Sequence, residues 1–230
     1  MIVTPTDIWN QFCAKHRVAA DAVPLFETDC QLEVATKPYG KKVRELLCRS
    51  HQMDNMLVQA CDMLIGDWET AANSYDGLIY IMCYLDGDNV VPLYVGKTET
   101  FGKKNRNLSE NIRGVSKRRT DKFARWGDNY EYHIGDLSAV VLGHPEDKQH
   151  PKYRNWAANL FVMHPVAANQ QPVLKRKVYF WAKPWSRDYT GPWTDFGPTS
   201  LTFLEYLLIG VASAIFPDYV LNHEGQNRGR

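Results

Sequence analysis

The chain has 230 residues, 44% of them hydrophobic and 23% charged, with a net charge of +1. Its longest apolar stretch, Leu201 to Phe216, is interrupted by Glu205 and falls short of the roughly 20 residues a spanning helix needs, which excludes a membrane partner. Five cysteines, all within the first 83 residues and without a CxxC pair, exclude a disulfide framework or a zinc site, and Met1 to Asn10 has no basic leader, so reduced thiols and a cytoplasmic location are expected.

In chain order, residues 5–75 read mostly as helix. One helix is expected to begin at Asp7-Ile8-Trp9 with Thr6 as its cap. From Lys41 to Thr70 the apolar residues Val43, Leu46, Leu47, Met53, Met56, Leu57, Ala60, Met63 and Leu64 recur largely at three- and four-residue spacing, a core-facing helical stripe. The β-rich part begins near Gly77. Gly77-Leu78-Ile79-Tyr80-Ile81 and Leu93-Tyr94-Val95-Gly96-Lys97 flank Asp86-Gly87-Asp88-Asn89, and Asp-Gly between β-prone runs signals a hairpin. Gly96 is expected to end the second run and turn the backbone toward Lys97-Thr98-Glu99.

A basic helical stretch is expected over roughly 105–126, then a third strand from Tyr130 to Leu142 and a polar loop from His144 to Gln149. Lys152 to Met163 has helical spacing, with Trp156, Leu160 and Met163 on one face. A strand fits Val173 to Trp181, and Pro184 to Pro198 reads as an aromatic-rich loop. The last helix runs from about Thr199 to Phe216, capped by Thr199 or Ser200 and stopped by Pro217. The domain reading is an N-terminal helical extension (1–75), a catalytic domain (76–225) with an insertion around 144–195, and a flexible tail (226–230).

The charge distribution says more than the total. Between Phe101 and Trp126 stand Lys103, Lys104, Arg106, Arg113, Lys117, Arg118, Arg119, Lys122 and Arg125, opposed only by Glu110 and Asp121, which leaves the segment at +7. A polyanion needs such a local footprint, although a solvated helical face has the same composition. Glu205 is the only charged residue between Asp195 and Asp218 and lies in a strongly apolar helix. A carboxylate buried there must be paired, protonated or metal-bound; the plainer alternatives are an exposed position or a structural ion pair. Seventeen residues later comes Asn222, within Leu221-Asn222-His223-Glu224-Gly225.

The two tyrosine-bearing runs, the glutamate helix and the closing Leu-Asn, in that order, resemble the GIY-YIG nuclease superfamily over roughly 76–225. The resemblance implies an α+β fold, a small antiparallel sheet flanked by helices, here with an N-terminal helical extension and insertions. By position, Tyr80 matches the tyrosine of the first motif and Tyr94 that of the second. Gly96 matches the motif glycine, Lys97 the residue after it, Glu205 the metal ligand and Asn222 the terminal asparagine. The first motif departs from the family, with Gly77 one position early. The family arginine matches either Arg125 or Arg113.

The activity implied is metal-dependent endonuclease cleavage of DNA, double-stranded favoured, in a restriction or defence setting. Mg²⁺ or Mn²⁺ would be held by Glu205, and Lys103, Lys104, Arg106, Lys117, Arg118, Arg119 and Lys122 would contact DNA. A tyrosine hydroxyl, with a pKa of about 10, can serve as base only if a neighbouring cation such as Lys97 or the metal lowers it. Cuts on both strands would favour a homodimer. The alternative is an inactive nucleic-acid-binding module on the same fold.

Overall fold

The computed structural model describes residues 3–39, 43–101, 107–109, 112–113, 134–167 and 169–226. The expected basic helix, the arginine candidate Arg125 and the DNA-contact residues Lys103, Lys104, Arg106, Lys117, Arg118, Arg119 and Lys122 lie outside the described residues.

The fold is mixed helix and strand around a four-stranded antiparallel sheet. Its strands are β1 (Val23–Pro24), β4 (Tyr75–Asp86), β5 (Asn89–Glu99) and β6 (Tyr179–Ser186), in the spatial order β1-β6-β4-β5. The hairpin read from Asp-Gly is present: Asp86 pairs with Asn89 around Gly87-Asp88, and Gly87 takes a positive φ of 57°. Strand β4 is central and buried on both sides. Leu78, Tyr80, Met82 and Tyr84 join one core cluster, whereas Ile79, Ile81 and Cys83 join the other. Period-two alternation thus splits two apolar faces here rather than an apolar from a polar one.

Helices cover both faces. On one side lie α3 (His51–Glu69), α4 (Ile134–Val141) and α5 (Pro151–Leu160), with Leu57, Leu64, Leu137, Val140, Trp156 and Leu160 in the first cluster. On the other lie α1 (Pro5–Lys15), the single turn α2 (Val18–Asp21) and α6 (Leu201–Ile215). There Trp9, Phe12, Leu204, Leu208 and Ala212 pack with Trp181 and Trp185. Two of the buried indoles on this side reach a carbonyl, Trp9 at Val90 (2.8 Å) and Trp185 at Thr199 (2.7 Å).

Several elements depart from the sequence expectations. Helix α1 starts at Pro5 and is capped by Thr4 in a capping box with Asp7, not by Thr6. The N-terminal region is not wholly helical. It supplies β1 to the sheet and a separate hairpin of β2 (Thr36–Tyr39) and β3 (Arg44–Leu47). The helix expected from Lys41 starts at His51, where Ser50 caps it by accepting from Met53 N–H at 3.0 Å. The third strand expected at 130–142 is helix α4 over Ile134–Val141; residues 130–133 lie outside the described residues. Its buried Leu137, Val140 and Val141 have helical spacing, and its Ser138 hydroxyl accepts the Leu47 N–H at 3.0 Å.

The strand expected at 173–181 is shifted to Tyr179–Ser186, with only isolated bridges at Val173 and Leu174. It runs through Pro184 and Trp185, which had read as loop. Pro184 lies past the two-residue reach of β1, where one edge of β6 carries no ladder and a proline is tolerated. Helix α5 ends at Leu160, which leaves Met163 exposed rather than on its apolar face. At α6 neither Thr199 nor Ser200 caps through its side chain; Asp76 accepts from Leu201 N–H at 3.4 Å. The five cysteines are free thiols, three of them buried. Among the described residues no helix is long and apolar enough to cross a membrane.

One buried group makes stability sensitive to acid. His16 is 5% exposed, with its ring against Phe12, Trp185 and Tyr189. Burial, with help from Lys183 and Lys15, lowers its pKa to about 4. An unfolded histidine, near 6.5, is therefore protonated first as pH falls, and the unfolded state gains. Stability is expected to drop by about 2 kcal/mol between pH 6.5 and 4.5 from this residue. Melting curves across that range should show the slope, and His16→Phe should flatten it.

Candidate active site

The second strand of the hairpin carries the centre of the site. Strand β5 is the sheet edge, and the chain after α6 returns to close it. Leu221 N–H donates to Leu93 C=O at 2.7 Å. The Asn222 side chain then accepts from Val95 N–H at 3.0 Å and donates to Val95 C=O at 2.8 Å. One amide thus satisfies both backbone groups of a buried edge residue, as a neighbouring strand would. Asn222→Ala leaves both without that partner. It is expected to cost about 2–3 kcal/mol, read as a lower denaturation midpoint, and Asn222→Asp, which keeps the acceptor but not the donor, should not restore it.

Gly96 does not end a strand, since β5 continues to Glu99. It sits directly across from Tyr80 in the β4–β5 register. A Cβ at this position would collide with the Tyr80 hydroxyl and lie 2.5 Å from its Cζ. The glycine is there because the phenol ring lies against its backbone. Tyr80 is stacked between Tyr94, at 6.3 Å between centroids, and Phe180, at 5.7 Å.

Tyr80, Tyr94, Lys97, Glu205 and Asn222 line one cleft of about 450 Å³ between the edge of the sheet, the start of α5 and the outer flank of α6. Helix α6 directs Leu201, Leu204, Leu208, Val211 and Ala212 into the core and leaves Phe203 and Tyr206 exposed. Glu205 falls at the boundary between those faces and is half-buried. Burial raises its carboxyl above the usual range. The Lys97 charge and a Lys97 backbone hydrogen bond pull it down, and Glu99 and Glu224 push it up. Its environment therefore favours added positive charge. The Lys97 ammonium itself is engaged by Glu99 at 2.5 Å.

Burial, reinforced by the Glu205 and Glu224 carboxylates, also pushes the Tyr94 phenol above its ordinary value. Tyr94 is thus a neutral hydrogen-bond donor at physiological pH, whereas the sequence reading looked to Lys97 to lower it. Arg113 is exposed and is not among the residues lining the cleft.

The sequence reading missed His150, Lys152, Tyr206, His223 and Glu224, which also line the cleft. Glu224 was visible beside Asn222. Lys152 gave no signal, because it belongs to a helix recognisable only by its packing face. Its ammonium stands 5.0 Å from the Tyr94 ring centroid, 5.6 Å from Tyr153 and 5.4 Å from Trp156. Burial lowers its pKa, and Asp136 and Glu224 act against that shift.

Among the described residues no three His, Cys, Asp or Glu side chains are grouped so as to hold a metal by themselves. A divalent ion at this cleft would rest on the Glu205 oxygen, with Glu224 nearby, and on oxygens from water and substrate. That donor set suits Mg²⁺ or Mn²⁺, which keep several waters when bound through one or two carboxylates. The chain matches no family model, no curated protein and no solved structure.

Proposed function

We propose that this protein is a metal-dependent endonuclease of the GIY-YIG type, acting on double-stranded DNA in a restriction or defence role in the cytoplasm. One observation carries the reading. Five residues chosen from four sequence motifs, Tyr80, Tyr94 with Lys97, Glu205 and Asn222, line the same cleft. Core packing alone explains the tyrosines, but it does not explain a half-buried carboxylate facing them.

Phosphodiester hydrolysis needs a proton acceptor for water, charge stabilisation at the phosphate and help for the leaving oxygen. In this cleft the neutral Tyr94 phenol donates to a phosphate oxygen. Proton acceptance from the attacking water would fall to Tyr80, which can take a proton only as a phenolate, a form that the bound metal or the Lys97 charge would favour; Lys97 stands beside Glu99. Glu205 would hold the metal, which when bound would lower the pKa of adjacent hydroxyls and neutralise charge on the leaving oxygen. Gly96 and Asn222 fix the β5 backbone between the tyrosines and Lys97. A homodimer would place one such cleft on each strand for a double-strand cut.

Supercoiled plasmid incubated with Mg²⁺ or Mn²⁺ tests this reading. Metal-dependent nicking or linearisation by the wild type is expected. A folded wild type that binds DNA and leaves plasmid intact in both metals overturns the nuclease reading in favour of a binding module.

A further inference from the structure

We infer that Lys152 supplies the cleft's phosphate contact, its ammonium meeting the phosphodiester held between Tyr94 and Glu205; this rests on the nucleic-acid reading of the cleft given above. Three observations place it there. Lys152 lines the same cleft as Tyr94 and Glu205, although it comes from a different layer of the fold. Its ammonium is positioned over the rings of Tyr94, Tyr153 and Trp156, at 5.0 to 5.6 Å from their centroids. Such a triple ring contact restricts a side chain that is otherwise among the most mobile. The residue also stands in the first turn of α5, after Pro151, where the positive end of the helix dipole adds to the attraction for an anion.

A cation half-withdrawn from water gains more from a phosphate than a solvated one, because the interaction acts in a lower effective dielectric. Both lysines of the cleft feel carboxylates, Lys97 through its contact with Glu99 and Lys152 through Asp136 and Glu224; what sets Lys152 apart is its seat over three rings. Lys152 meets the substrate from the α5 side. The contrasting reading is that the ammonium serves only to pack the aromatic cluster of Tyr94, Tyr153 and Trp156. The two differ in what happens when charge is removed and shape is kept.

The test uses the full chain, a short DNA duplex and supercoiled plasmid, with Lys152→Met and Lys152→Arg. Duplex affinity is measured over a range of salt, and cleavage in Mg²⁺ and Mn²⁺. Lys152→Met is expected to reduce the slope of log affinity against log salt by about 0.9, the loss of one phosphate contact. Cleavage should fall about 100-fold or more at saturating DNA, with the melting temperature little changed. Lys152→Arg should restore the slope and part of the rate. Should Lys152→Met fail to fold, Lys152→Gln carries the same comparison.

An unchanged slope in a folded Lys152→Met, with cleavage within threefold of wild type, overturns the inference and makes Lys152 a packing cation. The nuclease reading fails separately, as intact plasmid with wild-type protein. In that case the salt slope still decides Lys152. A wild type that does not bind duplex at all overturns both.

Discussion

Glu205→Gln is expected to abolish metal-dependent cleavage, lowering the rate by about 1,000-fold, equivalent to about 4 kcal/mol of transition-state stabilisation. Glutamine keeps the shape of the half-buried side chain but removes the hard anionic oxygen on which the proposed metal depends. The same change should not weaken the fold. Burial holds the Glu205 carboxyl above its usual range, with Glu99 and Glu224 acting in the same direction. A raised carboxyl means that the ionised form is less comfortable in the folded chain than in the unfolded one. The native state is therefore favoured as pH falls through the raised value and disfavoured above it. A neutral replacement is expected to melt at or above the wild-type temperature near pH 7.

This opposition between stability and function separates a site residue from a structural ion pair, whose loss would lower the melting temperature. A second readout needs no substrate. Metal in 100-fold excess over its dissociation constant should stabilise the wild type by about 2.7 kcal/mol, and Glu205→Gln should lose that increment. A Glu205→Gln protein that cleaves as wild type, or that is stabilised equally by Mg²⁺ or Mn²⁺, would remove Glu205 from the mechanism.

Gly96→Ala is expected to be the most damaging of the small substitutions. The added methyl meets the Tyr80 ring, and that ring is 2% exposed and held between Tyr94 and Phe180. Nothing nearby can give way without moving the sheet core, so the cost is that of overpacking, about 3 kcal/mol. For a chain of this size that corresponds to a fall of about 6–12 °C in melting temperature. Cleavage should be lost beyond what instability explains, because relief of the clash must displace the Tyr80 phenol from the cleft. Gly66→Ala, in the last turn of α3 with open space around its Cβ position, is the control. It should be neutral or stabilising by up to about 1 kcal/mol. Equal melting temperatures for the two variants would contradict the close approach of Tyr80 to Gly96.

The hairpin was legible because its signals are local. Asp86-Gly87 specifies a tight turn, and the apolar runs on either side fix the strands and their pairing around it. Glu205 stood out for a similar reason, as one carboxylate in a helix otherwise built for burial. Where strand and helix periodicities were both plausible over a short run, the local signal misled. Tyr130 to Leu142 reads as strand, but Leu137, Val140 and Val141 are buried as part of a helix on β3, and the β6 boundary moved because Pro184 is tolerated beside a short partner strand. Both outcomes depend on what lies across the interface rather than along the chain.

The amino-acid sequence by itself thus determined the central hairpin, the last helix and the oddity of Glu205 within it. Tertiary structure decided why Gly96 is glycine, that Asn222 stands in for a missing strand at Val95, and that Lys152 joins the cleft at all. Each of these is a contact between residues far apart in the chain, made when helices close over opposite faces of β4 and β5. Periodicity reports which face of an element is apolar, but it carries no record of which distant backbone or ring will meet it.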